Sequence, residues 1–350
     1  MSRWVSITLT VASILVTIAG IATYVIKNRQ LGTKFEVSAN EAVNYSGDAT
    51  EADCKLLAGL LKEQGFFDGT KTADVLLSKG AEGIAVSFVL SDGWDDEQIV
   101  EEFTIVGEKC AAAFEIKPFK VSLLSTQLNN MKDLPITQRR LQVSPQEQVV
   151  FTDSTSLADA KLLAEALKQA DYFDNSAPAI VRLSTGAEGT AVSFALQEGK
   201  WDDAAVLRGL TTLGEKCAAP FGPQSFKVRL LDTNLNQKKE LPITQRRLLA
   251  SPEEQIVFSS PITLAQAQAL AEALKQAGYF DASAPAIVRL SKTDKGHSLG
   301  FVVGDGAWEK PNVITELEGV ARKVADSVGK PLSIEFLDNE MVVKKTIPLE

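Results

Sequence analysis

The sequence predicts an α+β protein: three tandem ferredoxin-like domains (βαββαβ plus a terminal hairpin strand) behind an N-terminal transmembrane helix. Three observations carry that prediction. Trp94, Trp201 and Trp308 recur at an interval of 107 residues, and neighbouring landmarks recur with them. Phe66-Phe67-Asp68 returns as Tyr172-Phe173-Asp174 and Tyr279-Phe280-Asp281, Gly107 to Ala112 returns as Gly214 to Ala219, and Leu134 to Leu141 returns letter for letter at 241–248. A fixed period of this kind marks copies of one supersecondary unit. Within each copy, apolar residues change between a helical period and a period of two in the order strand, helix, strand, strand, helix, strand. Finally, Val5 to Ile26 holds no charged residue and, at about 1.5 Å per residue, is long enough as a helix to cross roughly 30 Å of hydrocarbon.

Each element has its own signal. A short strand ends at Tyr45, Phe151 or Phe258. Thr50-x-x-Asp53, Ser156-x-x-Asp159 and Thr263-x-x-Gln266 then read as capping boxes opening a helix. Its core stripe is Leu57 and Leu61, Leu163 and Leu167, or Leu270 and Leu274. Gly65 and Gly278 close that helix in two copies, and Asp171 stands in their place in the second. In the next strand Val75 and Leu77, Val181 and Leu183, and Val288 and Leu290 face one way, with Leu76, Arg182 and Arg289 opposite. One sheet face is therefore accessible to solvent. Its partner carries Val86 and Phe88, Val192 and Phe194, or Leu299 and Phe301. After a second helix, Phe119, Val121 and Leu123 and their counterparts form a further strand, and a turn leads into an edge strand. Two helices covering one face of an antiparallel sheet account for this order.

The domains expected on this basis span 41–140, 147–247 and 254–350, with the anchor in 1–30. The Thr-Gln-Arg-Arg-Leu segments read as linkers, and the connections from Arg140 to Gln148 and Arg247 to Gln255 are short and hold Pro145 and Pro252. A row of restrained modules is expected. Trp4 and Tyr24 fit interfacial positions of the anchor. A cleaved signal, with Gly20 and Ala22 at its small-residue site, is the alternative. Arg3 and the terminal amine precede the span while Lys27, Arg29 and Lys34 follow it, so the charge rule is nearly silent and leans towards cytoplasmic repeats. Export of the repeats is favoured because a single N-terminal anchor before tandem small domains usually displays them outside.

The net charge of −9 and pI near 5.0 argue against nucleic-acid binding, which demands a basic stripe. Trp94-Asp95-Asp96 and Trp201-Asp202-Asp203 are candidate ligand sites, for a metal or a sugar. They suit helix starts better, with Asp95 and Asp202 as N-caps and Trp94–Ile99, Trp201–Val206 and Trp308–Val313 as hydrophobic staples. Glu309-Lys310-Pro311 in the third copy keeps a helix start and removes the acidic pair. Arg139-Arg140 and Arg246-Arg247 recur in one context and are candidate clamps for a carboxylate, or bridges between adjacent domains. Cys54 and Cys110 are placed where a disulfide is geometrically feasible. Cys217 matches Cys110 while Ala160 replaces Cys54, which favours buried thiols. His297, the only histidine, matches Ile84 and Thr190 at a strand start, a poor place for a general base. No catalytic, cofactor-binding or metal-ligating set is expected.

Tyr45 to Asp53, Gln64 to Asp68, Gly93 to Asp96 and Val228 to Leu241 together resemble a bacterial tandem-repeat module of unknown function over residues 41 to 350. That resemblance implies a fold and no activity. The helix, Gly-x-Phe-Asp turn and strand pair is similar in architecture to POTRA domains, and the element order to SPOR domains. POTRA modules place both helices before the strand pair and SPOR units are shorter, so neither supplies site residues. The expected function is non-enzymatic binding of a protein or cell-envelope partner by a single-pass membrane protein. The alternatives are glycan or peptidoglycan binding through Trp94, Trp201 and Trp308, and a spacer role.

Overall fold

The computed structural model describes residues 32–114, 118–152 and 154–349. The apolar stretch expected to form the anchor lies outside the described residues. Among the described residues, no helix is long and apolar enough to cross a membrane.

Three similar α/β repeats follow one another. The first comprises β1 (Thr33–Glu36), β2 (Glu41–Gly47), α1 (Glu51–Glu63), β3 (Ala73–Gly80), β4 (Gly83–Val89), α2 (Glu97–Phe114), β5 (Phe119–Leu124) and β6 (Asn130–Ile136). The second runs β7 (Gln138–Gln142), β8 (Glu147–Thr152), α3 (Leu157–Gln169), β9 (Ala179–Gly186), β10 (Gly189–Ala195), α4 (Ala204–Ala218), β11 (Phe226–Leu231) and β12 (Gln237–Ile243). The third runs β13 (Arg246–Leu249), β14 (Glu254–Phe258), α5 (Leu264–Gln276), β15 (Ala286–Thr293), β16 (Gly296–Val302), α6 (Pro311–Val328), β17 (Leu332–Leu337) and β18 (Val343–Leu349).

The sheets are mixed, which corrects the expected antiparallel, ferredoxin-like arrangement. Six strands lie side by side in chain order in each sheet. In the first repeat β2 and β3, joined by α1, are parallel neighbours, as are β4 and β5, joined by α2. The hairpins β1–β2, β3–β4 and β5–β6 are antiparallel. In the first and third repeats one hydrophobic core draws on both helices and on the inward strand residues, so both helices cover the same face. Strands advancing in one direction, with the second parallel pair reversed, then force the two crossovers to have opposite hands. One crossover in each of these two repeats therefore departs from the usual right-handed rule.

The Gln-Arg-Arg-Leu segments expected as linkers are strands. β7 opens the second sheet and β13 the third, antiparallel to β14. Their period-two alternation buries Arg139 and Arg246, which is why the charged residues hide a strand signal.

Local signals act as expected at most helix ends. Thr50 with Asp53 and Thr263 with Gln266 form reciprocal capping boxes. At the other end of α1, Gly65 N–H donates to Lys62 O at 2.9 Å and Phe66 N–H to Leu61 O at 2.9 Å, a Schellman closure. Asp171 and Gly278 close α3 and α5 in the same way. Asp171 adopts φ 58° to do so. Gly107 and Gly214 serve close packing instead: a Cβ on either would lie 2.6 Å from a methyl of Val121 or Val228.

Candidate functional site

The tryptophans sit at the start of the second helix of each repeat, half-buried. Trp94 with Ile99, and Trp308 with Val313, pack against their repeat's core. The N-caps fall one residue later than the sequence reading placed them. Asp96 accepts from Gln98 and Ile99 N–H at 2.9 and 3.1 Å, and Asp203 accepts from Ala205 and Val206 N–H at 2.9 and 3.2 Å. Those backbone donors hold the Asp203 carboxyl below the usual range. Asp95 and Asp202 remain exposed and face Lys132 and Lys239. The paired carboxylates thus have separate duties, and among the described residues no group of acidic, histidine or cysteine side chains converges as a metal site.

A lysine covers two of the three indoles. Lys238 Nζ lies 5.6 Å from the Trp201 ring centre and Lys344 Nζ 5.9 Å from that of Trp308, within cation–π range. Each lysine is tethered by the aspartate of the adjoining hairpin, Lys238 to Asp232 at 3.0 Å and Lys344 to Asp338 at 2.8 Å. The first repeat changes both partners together, with Ser125 and Met131 at the matching positions.

The arginine pairs are engaged within the chain. Arg140 meets Glu108 of α2 at 2.7 Å, and Arg247 meets Glu215 of α4 at 2.8 Å. All four side chains are at most 13% exposed. Arg247 also donates to Gln255 at 2.9 Å, and Arg246 to the Gln224 carbonyl at 2.8 Å. Arg139 is buried. Each pair fastens an opening strand to the preceding helix.

Cys54, Cys110 and Cys217 are free and buried; the candidate Cys54–Cys110 bridge is not formed here. Burial pushes the Cys54 thiol up to about 11, and those of Cys110 and Cys217 to about 12, so none is a nucleophile at neutral pH. Both ring nitrogens of His297 are buried without a hydrogen-bond partner.

One constellation escaped the sequence reading. Glu41, Glu147 and Glu254 are buried at the start of the strand before each first helix. They accept from the N–H of Gly69, Asn175 and Ala282 at 2.7, 2.6 and 2.7 Å. Those three residues all hold positive φ, at 75°, 60° and 59°, in the loop that Asp68, Asp174 or Asp281 tightens by accepting from the residue two further on. The repeat interval marks these glutamates, but strand ends rarely bury a carboxylate, so composition gave no reason to single them out.

The copies also differ on the sheet face opposite the helices. Position for position, Ser122, Arg229 and Glu335 share one site on it, and Leu76, Arg182 and Arg289 another. Asp133 accepts from Ser122 at 2.6 Å in the first repeat. Glu240 bridges Arg229 and Lys227 at 3.0 Å each in the second, and Arg289 pairs with Glu335 at 2.6 Å in the third.

No family model matches the chain, and no curated protein or solved structure does either.

Proposed function

We propose that the chain is a non-enzymatic tandem-domain protein, anchored by residues 5–26 with its repeats outside the cytoplasm, that binds a protein or cell-envelope partner through the open sheet faces. The observation that carries this reading is the division of labour between faces. Positions shared by all three copies serve capping, turn closure and core packing, while the open face varies around a partly kept charge pattern: the Lys120–Asp133 pair recurs as Lys227–Glu240, Arg229 joins it in the second copy, and Arg289–Glu335 replaces it in the third. Surfaces kept polar, accessible and divergent on a constant scaffold are where recognition is written. Binding through Trp94, Trp201 and Trp308 is less favoured, since Lys238 and Lys344 already lie over two of the rings. The same divergence supports a spacer as the second reading. Photo-crosslinking residues placed at Lys120 and Ala195 on the open faces, in the full chain in cells, are expected to give discrete adducts. The helix-side control at Lys161 is expected to give none. Equal adducts at all three positions, or none, would favour the spacer.

A further inference from the structure

The second repeat differs from its sisters on the helix side. In the first repeat α1 and α2 pack together, as do α5 and α6 in the third, whereas α3 and α4 meet far less. An open groove of about 600 Å³ lies along α4 beside the turn that closes α3. Its floor is Tyr172, Val206, Leu210 and Leu213, and its rim includes Arg208, Lys216 and Asp171.

Three positions along the groove distinguish α4 from α2, and of these only Arg208 and Gly209 also distinguish it from α6, which has Leu317 where α4 has Leu210. Phe103, which stacks edge-on with Phe66 at 6.4 Å and packs on Phe88 at 4.7 Å, is replaced by the smaller Leu210. Glu102 and Glu316 are matched by Gly209, which has no side chain to cover the gap. Glu101 is matched by Arg208. Tyr172 is left 36% exposed, while its counterparts Phe66 and Tyr279 are half-buried. Volume is lost and charge is reversed at one place, on a chain whose net charge is −9.

We infer that this groove takes an amphipathic, acidic peptide segment of a protein partner, its bulky apolar side chains on Tyr172, Leu210 and Leu213 and its carboxylates toward Arg208 and Lys216. An amphipathic helix docks by laying its apolar face in an apolar groove and its charges against flanking charges of opposite sign. Asp171 at one end sets polarity, since a carboxylate next to it would be repelled. The inference concerns a different surface from the open sheet face and stands or falls separately.

The test uses the full chain purified in detergent and three fluorescein-labelled helical peptides: one with leucines at i and i+4 flanked by glutamates, one with lysines for the glutamates, and one with alanines for the leucines. Saturable anisotropy change is expected with the first alone. Leu210→Phe with Gly209→Glu, which restores the first repeat's residues, should weaken binding at least about tenfold, and so should Arg208→Glu with Lys216→Glu. Circular dichroism melting of each variant checks that it is folded, and the two sets of changes act independently, so one unfolded variant leaves the other decisive. Equal binding of the lysine peptide, or binding that both folded variants retain, would overturn the inference. Absence of binding by the first peptide would do the same, and concentration-dependent dimerisation lost in the Leu210→Phe pair would reassign the groove to a second copy of the chain.

Discussion

Ala282 occupies a backbone conformation that its copies fill with Gly69 and Asn175. All three sit at positive φ, and each gives its N–H to a buried glutamate. For an L-residue with a β-carbon, that region costs about 1–2 kcal/mol. The hydrogen bond to Glu254 holds Ala282 there against this cost. Ala282→Gly is therefore expected to raise stability by about 1 kcal/mol, less the extra unfolded-state entropy of glycine. Urea midpoints of the two proteins check it; a lowered midpoint would show that the loop does not bear strain. Asp171 illustrates the same lesson with a milder penalty, because aspartate tolerates the left-handed region better than alanine. Its role at the end of α3 was legible from the repeat alone, since it stands where Gly65 and Gly278 stand. The glutamates were not legible, because a carboxylate's burial depends on which loop folds over it.

At the scale of elements, the decisive feature is that β7 and β13 are strands fastened to the preceding helix. The Glu215–Arg247 pair is nearly buried and shares Gln255 as a further acceptor. Removing one partner strands the other charge away from water, which costs several kcal/mol when burial is deep. Glu215→Gln should lower stability by about 2–4 kcal/mol, discounted for the remaining exposure. Glu51→Gln on α1, which removes an exposed pair with Lys55 at 2.7 Å, should cost under about 0.5 kcal/mol. Denaturant titration of both variants compares them, and equal losses would mean that the fastening contributes little. The third repeat lacks this device. The positions of Glu108 and Glu215 are taken by Arg322, and those of Ala112 and Ala219 by Asp326, both exposed on α6. That helix surface therefore lacks the glutamate and alanine that seat a strand on α2 and α4.

Over the whole molecule, acid sensitivity follows from carboxylates held low by their partners. The Lys238 ammonium and the Asn236 N–H bring the Asp232 carboxyl from its ordinary 3.8 to about 2. Asp338 is lowered first by Lys344, Asp133 by Ser122 and Lys120, and Glu240 by Arg229 and Lys227. A folded pKa below the unfolded one contributes stability that is complete above the unfolded value and is lost as pH falls through the folded value. Melting temperature should therefore fall between about pH 4 and pH 2. In Asp232→Asn the fall should be shallower, with a lower plateau at neutral pH; identical profiles would remove Asp232 from the account. The sequence by itself determined the repeat, the two helices per copy, the capping boxes that open α1 and α5, and the inward strand faces. These are set by residues close together in the chain, through turn chemistry and side-chain period. Only the tertiary structure decided that the sheets are mixed, that strands follow in chain order and that the arginine segments are strands. The same alternation serves a strand next to any partner, in either direction. Which partner it meets is settled by how the helices between them return, and no local pattern records that path.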